Sequence, residues 1–240
     1  MLKNDFYTFI VTSTIDTPHG VFSVEERYNQ TLDTFKSIRK HVPNAKIVFI
    51  DNSSTPLFSR ISNPECYSEK FRIEMEELVD LWCLVLPNLF TIYSNGINSK
   101  GLGELYMMYE AGKLIEENKL IGKRIFKLSG RYKLTDTFDL TEYDNYVGKY
   151  TFKINPWDMS NDNWVTKETV IYFETRLWSF CRSQFNDVKY LLPHILHYML
   201  TVDHNYEKTL HAILPHENVI ELTEAHVEGH TADTGVYKYE

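Results

Sequence analysis

Short polar residues follow four apolar stretches of the sequence, and side chains of these types bind ligands through hydrogen bonds and charge. These residues are Thr12-Ser13-Thr14, Asp51-Asn52-Ser53-Ser54, Ser94-Asn95-Gly96 and Ser129-Gly130-Arg131. If the stretches are parallel strands, their carboxyl ends meet at one edge of a sheet, where ligands of open α/β sheets bind. Loops at strand ends are often polar without any ligand. Four such ends in succession predict a pocket.

Asp51 and a glycine-bearing segment carry the more specific chemistry. The Asp51 carboxylate could accept hydrogen bonds from a ribose hydroxyl or a base N–H, or it could form an Asx-turn. Lys100-Gly101-Leu102-Gly103-Glu104 opens a predicted helix. Its glycines would let backbone amides approach a phosphate beside the Lys100 charge, although a plain turn before a helix also explains them. The chain contains neither a G-x-G-x-x-G nor a Walker loop.

The elements that would position these residues alternate along the first half of the chain. The four stretches, 6–11, 46–50, 89–93 and 124–128, have the length and β-branched content of strands buried on both faces. Apolar residues at helical spacing from Val24 to Val42 follow a Ser23/Glu26 capping box and predict a helix. Two more helices are predicted by the same spacing in Phe71, Met75, Leu78, Trp82 and Val85, and in Leu102, Leu105, Met108, Ala111 and Ile115. The order βαβαβαβ predicts a mostly parallel sheet flanked by helices.

The second half of the chain has a looser pattern. Tyr-rich and Trp-rich segments at 146–154 and 169–175 predict longer strands at the sheet edge. A helix is predicted over 185–202, with Pro193 kinking or restarting it. A short strand at 218–222 is followed by a polar tail. Without repeats or a linker-like stretch, residues 1–240 are predicted to form one α/β domain.

Charge and cysteine content disfavour several classes of protein. The chain of 240 residues has 25 Lys and Arg against 33 Asp and Glu, a net charge of −8, which repels nucleic acid. Its three cysteines form no C-x-x-C pair and indicate neither a zinc site nor a disulfide framework. No apolar stretch approaches the roughly 18 residues that a membrane span needs. These features predict a chain without a transmembrane segment in a reducing, cytoplasmic compartment, and leave its oligomeric state undetermined.

Three segments carry a family resemblance. IVFIDNSSTP (47–56) resembles the second strand and acidic turn of GT-A type glycosyltransferases, and SKGLGELYMMYEAG (99–112) is similar to their glycine-bearing helix. RIFKLSGRYKL (124–134) resembles the sugar-nucleotide strand of bacterial and viral surface-polysaccharide transferases. The matches lie in the family's order over roughly the first 135 residues.

The resemblance implies a single GT-A-like, Rossmann-like domain that binds a nucleotide-diphosphate sugar. Residues 1–135 would bind this donor and residues 136–240 a glycan acceptor. Thr12, Ser13 and Asp51 would lie near the nucleoside, and Lys100 and Arg131 near the diphosphate. The full set of donor-binding residues is Thr12, Ser13, Thr14, Asp51, Asn52, Lys100, Gly101, Ser129, Gly130 and Arg131.

Metal dependence stays open at this stage. Related enzymes place a D-x-D at the end of the fourth strand to hold a divalent ion such as Mn²⁺ or Mg²⁺. This chain has Ser129-Gly130-Arg131 there and no D-x-D anywhere, and its nearest variant, Glu142-Tyr143-Asp144, lies downstream. We therefore expect cationic side chains to replace or supplement the metal. A weaker metal or diphosphate candidate is the H-x-E-x-H formed by His226, Glu228 and His230, although a polar tail without function is the alternative.

An inverting transferase also needs a carboxylate to take the proton of the attacking hydroxyl. Asp158, Asp162 and Glu174 are the candidates, and Glu174 is favoured because it follows an apolar strand and has aromatic neighbours. Four aromatic residues of this region offer flat surfaces for a sugar ring or simply pack in the core: Trp157, Trp164, Tyr172 and Trp178.

The sequence thus predicts a glycosyltransferase of polysaccharide biosynthesis, transferring a hexosyl or pentosyl group to a glycan hydroxyl. Two alternatives remain. One is another nucleotide-using α/β transferase, either a nucleotidyltransferase or a methyltransferase. The other is a transferase-like domain that binds glycans without catalysis.

Overall fold

The computed structural model describes residues 5–17, 20–53, 69–85, 100–158, 169–202, 205–232 and 234–240, and its centre is a seven-stranded sheet. The strands are β1 Tyr7–Ser13, β2 Lys46–Asp51, β3 Leu81–Leu84, β4 Arg124–Ser129, β5 Tyr132–Leu134, β6 Tyr150–Asp158, β7 Thr169–Cys181, β8 Val219–Leu222, β9 Val227–His230 and β10 Tyr237–Tyr239. The helices of four or more residues are α1 Val24–His41, α2 Glu69–Leu78, α3 Lys100–Glu117, α4 Leu140–Asp144, α5 Phe185–Val202 and α6 Tyr206–Ile213.

The central sheet has the order β3-β2-β1-β4-β7-β6-β8. Strands β1 to β4 are mutually parallel, β7 runs antiparallel to β4 and β6, and β8 runs parallel to β6. Every residue of β1 and β4 is buried, as expected for strands covered on both faces. The predicted fold class, a mostly parallel sheet flanked by helices, is therefore confirmed.

Two apolar layers cover the sheet, one on each face. Alternate residues of β1 divide between them, because successive side chains of a strand point to opposite faces. Phe9 packs in the layer that contains Phe35 of α1, whereas Ile10 packs in the layer of Leu105 in α3 and Ile195 in α5. The predicted capping box of α1 is present, with Ser23 as N-cap and Glu26 bonded back to it.

The second predicted helix, which was expected to reach Val85, is shorter in the structure. Helix α2 ends at Leu78, and Trp82 lies in β3, which pairs with β2. Asp80 separates the two elements, and its carboxylate accepts a hydrogen bond from the backbone N–H of Ile47 at 2.9 Å. This contact attaches the chain to the start of β2, so the following apolar residues join the sheet. The strand predicted at 89–93 lies outside the described residues.

The strands at 146–154 and 169–175 were wrongly predicted at the sheet edge. The first begins at Tyr150 as β6 and lies between β7 and β8, which forms the edge. The second extends to Cys181 as β7 and lies between β4 and β6. The β7 side chains Phe173, Trp178 and Phe180 are buried, which an interior strand requires. Helix α5 runs through Pro193 without restarting.

The predicted polar tail is also wrong. Residues after 226 form β9 and β10, which join β5 in a three-stranded antiparallel sheet. Val227 is fully buried, and a Cβ on Gly229 would lie 2.1 Å from the Arg131 carbonyl oxygen. Only glycine allows β9 to approach β5 so closely, and this approach brings the segment after β9 to the end of β4.

Candidate functional site

A cleft lies where β1, β2 and β4 end and α3 begins; we call it the strand-end cleft. It is lined by seven of the residues predicted to bind a donor, namely Thr12, Ser13, Thr14, Asn52, Lys100, Ser129 and Arg131. Thr17, Arg27, Gly103, Glu104, Met107 and Ala232 complete the described lining. The structure therefore brings the three described polar strand ends to one site, while Ser94-Asn95-Gly96 lies outside the described residues.

Asp51 lies beneath the cleft rather than in its lining. Its side chain is fully buried, and Oδ1 accepts a hydrogen bond from the Ser53 backbone N–H at 3.0 Å. The same oxygen accepts from the Ser53 hydroxyl and, at 3.4 Å, from the N–H of Ile15. This is the Asx-turn that the sequence left as the alternative, and it ties the end of β2 to the loop after β1.

Gly101 and Gly130 also lie outside the lining, and both permit close packing. A Cβ on Gly101 would be 3.0 Å from the Cβ of Tyr206, so this glycine faces α6. A Cβ on Gly130 would be 2.9 Å from the Cβ of Ser13. The Gly130 N–H donates to the Thr12 carbonyl at 2.8 Å, which holds the ends of β4 and β1 together.

Three cationic side chains line the cleft. Arg27 from α1 and Arg131 after β4 both line it, together with Lys100 at the first residue of α3. Arg27 is buried, and its guanidinium donates to the Thr14 carbonyl at 3.1 Å. Burial, followed by the nearby Arg131 charge, lowers the pKa of Arg27 to about 10. Two guanidiniums close enough to repel each other favour an anion between or beside them.

The cleft lining also contains a carboxylate that the sequence did not assign. Glu104 lines the cleft, and its Oε1 accepts a hydrogen bond of 2.5 Å from Lys127 Nζ. Lys127 is fully buried and donates also to Ser129 Oγ at 2.8 Å and to the Thr175 carbonyl at 2.6 Å. Burial lowers the pKa of Lys127, while the Glu104 carboxylate opposes that shift. A lysine in the middle of an apolar strand was the sequence signal, because a buried ammonium requires partners.

Two further carboxylates, Glu174 and Glu207, lie near this site. The sequence predicted Glu174 as a catalytic residue. Glu174 is buried, accepts from Asn155 Nδ2 at 2.7 Å and pairs with Arg176 at 2.7 Å. Glu207 accepts from Thr175 Oγ1 at 3.2 Å. Burial, followed by the Glu174 and Glu104 charges, raises the pKa of Glu207 to about 7.

The remaining acceptor-side candidates are placed only in part. Asp158 is the last residue of β6. The side chains of Asp158 and Trp157 lie outside the described part of the structure, and so do all atoms of Asp162 and Trp164. Tyr172 accepts from Asn155 Nδ2 at 2.8 Å. Trp178 packs in the core against Phe152, with ring centroids 5.1 Å apart, so its ring is a packing surface.

The residues of the H-x-E-x-H have separate partners. His226 contacts Thr137 at 3.1 Å, Glu228 pairs with Lys133 at 2.8 Å, and His230 contacts the Gly235 carbonyl at 3.0 Å. Within the described ranges, no three His, Cys, Asp or Glu side chains are grouped to hold a metal ion. The Ser129-Gly130-Arg131 set that ends β4 does not fit a divalent cation either, since it offers a guanidinium where carboxylates are needed.

Among the helices described, none has the length and apolar content to cross a bilayer.

No protein-family model matches the chain. No curated protein sequence matches it.

Solved structures do resemble the chain. The apo form of the glycosyltransferase GlyE of Streptococcus pneumoniae TIGR4 is 10% identical to this chain, with a TM-score of 0.49. The match covers 90% of this chain and 45% of GlyE, so the chain spans less than half the length of that protein. The apo form of mouse xyloside xylosyltransferase 1 is 9% identical with a TM-score of 0.46, covering 91% and 85%. The 4-diphosphocytidyl-2C-methyl-D-erythritol synthase of Anaerococcus prevotii DSM 20548 is 10% identical with a TM-score of 0.47, covering 92% and 91%. At such identities and TM-scores these matches carry no argument about function, which is argued from the cleft.

Proposed function

We propose that the protein is a glycosyltransferase that moves a sugar from a nucleotide-diphosphate donor to a hydroxyl of a glycan acceptor. The observation that carries the proposal is the strand-end cleft, which combines hydroxyl side chains with the neighbouring Arg27 and Arg131 guanidiniums. The whole chain has a net charge of −8, so this concentration of positive charge is local. Local cationic groups beside short polar side chains suit a diphosphate attached to neutral, hydroxyl-bearing groups.

In this proposal, the cationic side chains of the cleft stabilise the departing diphosphate. Negative charge grows on the bridging oxygen as the bond to the sugar breaks, and fixed positive groups lower the energy of that state. Arg27 and Arg131 would supply this charge, with Lys100 at the start of α3. In this proposal they act where related enzymes use a D-x-D metal site.

A proton acceptor is needed if the reaction inverts. Glu174 is the residue proposed from the sequence, but it does not belong to the described cleft lining and is already bonded to Arg176 and Asn155. Glu207 also lies outside the described lining, and it is the alternative because a carboxyl group with a pKa near the working pH is an efficient general base. Residues 136–240 would then supply the acceptor side.

Ligand-induced thermal stabilisation tests the proposal. The probes are UDP-glucose, UDP-galactose, GDP-mannose and dTDP-glucose, with S-adenosylmethionine as the methyltransferase probe and CTP as the nucleotidyltransferase probe, each with and without Mn²⁺. We expect at least one sugar nucleotide to raise the melting temperature, since a ligand that binds the native state stabilises it. Transfer to a glycan acceptor mixture is then followed by release of the nucleoside diphosphate.

Three results would contradict it. A response to S-adenosylmethionine alone or to CTP alone would replace the glycosyltransferase by one of the other transferases. A response to glycans without any nucleotide response would indicate a binding domain.

A further inference from the structure

Glu104 has one oxygen bound and one available to a ligand. Its Oε1 is held by Lys127, whereas its Oε2 makes no hydrogen bond or ion pair within the described part of the chain. The side chain is 21% exposed and lines the strand-end cleft. A carboxylate oxygen is a strong acceptor for a hydroxyl donor and repels phosphate.

The position of that carboxylate is determined by Lys127. An ammonium has three N–H donors, and those of Lys127 are directed to Glu104, Ser129 and the Thr175 carbonyl. These partners belong to α3, β4 and β7, so three elements fix the lysine and the lysine fixes Glu104. A buried ion pair contributes little net stability compared with apolar residues of similar size, which agrees with a role in the site.

Tyr206 adds a second observation. Its side chain is 2% exposed, and its hydroxyl has no hydrogen-bond partner among the described residues. Glu104 and Glu207 are close enough to add to the effect of burial, which raises the pKa of Tyr206 well above its usual value. Tyr206 is not part of the described cleft lining, so an ordered water is the partner that would satisfy this buried hydroxyl.

We infer that Glu104 binds a hydroxyl group of the transferred sugar through Oε2 and that Lys127 is the positioning residue that orients its carboxylate. This inference rests on the proposed function. The cleft is then selective by charge: its cationic side chains take the diphosphate, and Glu104 accepts a neutral hydroxyl and rejects a further phosphate. A sugar nucleotide offers both groups, whereas a nucleoside triphosphate offers only phosphates.

Calorimetric titration of the full chain tests the inference through a ratio of affinities. The probes are UDP-glucose, UDP-galactose, GDP-mannose and dTDP-glucose, each paired with its parent UDP, GDP or dTDP. For the pair that binds best, we expect Glu104→Gln to lower the affinity for the sugar nucleotide by about tenfold or more, since a hydrogen bond to a charged group is lost. The affinity for the parent diphosphate should fall by less than about twofold. Lys127→Met should act in the same direction.

Two further variants control for folding. The double variant Glu104→Gln/Lys127→Met leaves no unpaired buried charge, and it should fold while keeping the altered ratio. Glu110→Gln makes the same chemical change on α3 at a pair with Lys113 outside the described lining, and it should leave both affinities unchanged.

The outcomes separate the inference from the proposed function. A wild-type chain that binds none of the probes overturns the proposed function, and the inference with it. A wild-type chain that binds a sugar nucleotide and its diphosphate, with a ratio that Glu104→Gln leaves unchanged, overturns the inference alone. Equal losses of both affinities in the double variant assign Glu104 and Lys127 a purely structural role.

Discussion

The cationic groups and the carboxylate of the strand-end cleft are positioned in different ways. Arg131 follows β4 and Lys100 begins α3, so local chain geometry places both. The Glu104 carboxylate depends on Lys127, which lies within β4 and reaches α3 and β7. Its position is therefore decided by packing between elements distant in sequence.

Removing Lys127 should have the largest effect on stability. Lys127→Ala leaves a cavity and removes the donors to Glu104, Ser129 and the Thr175 carbonyl, which together should cost about 2 to 5 kcal/mol. Urea unfolding followed by circular dichroism measures the change. The double variant Glu104→Gln/Lys127→Met should recover at least half of that loss, and a loss below about 1 kcal/mol in Lys127→Ala would show that the pair is not coupled to folding.

The pH dependence of stability tests the carboxyl group of Glu207, which lies near Glu104. Its folded pKa is raised from 4.5 to about 7, so between these values the folded state binds more protons than the unfolded state. Stability is then greatest below about pH 4.5 for this group and is lost as the pH rises to about 7, by up to about 3 kcal/mol. Comparing the unfolding free energy of wild type and Glu207→Gln from pH 4 to 8 isolates this contribution. A constant difference across that range would contradict it.

Removing Arg131 should affect binding much more than stability. Arg131→Ala deletes one of two guanidiniums that repel each other, and the loss of a charge-assisted hydrogen bond of about 2 kcal/mol would weaken a nucleoside diphosphate about 30-fold. The melting temperature should change little. Lys36→Ala, an exposed cation on α1 outside the described lining, is the matched control. Normal diphosphate affinity in Arg131→Ala would remove this residue from the site.

The smallest expected effect concerns a purely local feature. Ser23→Ala removes the N-cap hydroxyl that accepts from the Glu26 backbone N–H at 3.2 Å, which should cost about 1 kcal/mol. It should leave ligand affinity unchanged, since Ser23 lies outside the described lining. Thermal unfolding and calorimetry on one preparation check both statements, and an affinity change would link the start of α1 to the cleft.

The local features of the fold were predictable because they depend on neighbouring residues. The capping box of α1, the burial of β1 and β4 and the polar residues at their ends all follow from short-range pattern and chain direction. The same reasoning predicted that six donor residues at strand ends meet at one cleft, since parallel strands align their carboxyl ends, and Lys100 was predicted from the start of a helix. It failed at Trp82, where the contact between Asp80 and β2 outweighs helical spacing.

The order of the later strands was not predictable, because it depends on pairing between distant segments. No short-range sequence pattern indicates that β7 lies between β4 and β6, or that Gly229 lets β9 approach β5. Likewise, an aspartate at a strand end suits either a ligand or a turn, and only the position of Ser53 and Ile15 decided for Asp51.

The sequence by itself determined the α/β class and the polar strand ends that meet at the cleft. Only the tertiary structure decided that Arg27 joins Arg131, that Lys127 orients Glu104, and that Glu207 lies near two other carboxylates. The physical reason is the range of the interactions. Helix caps and strand periodicity act over a few residues, whereas a buried charge finds its partners in elements distant in sequence, as Lys127 does in Thr175, 48 positions away.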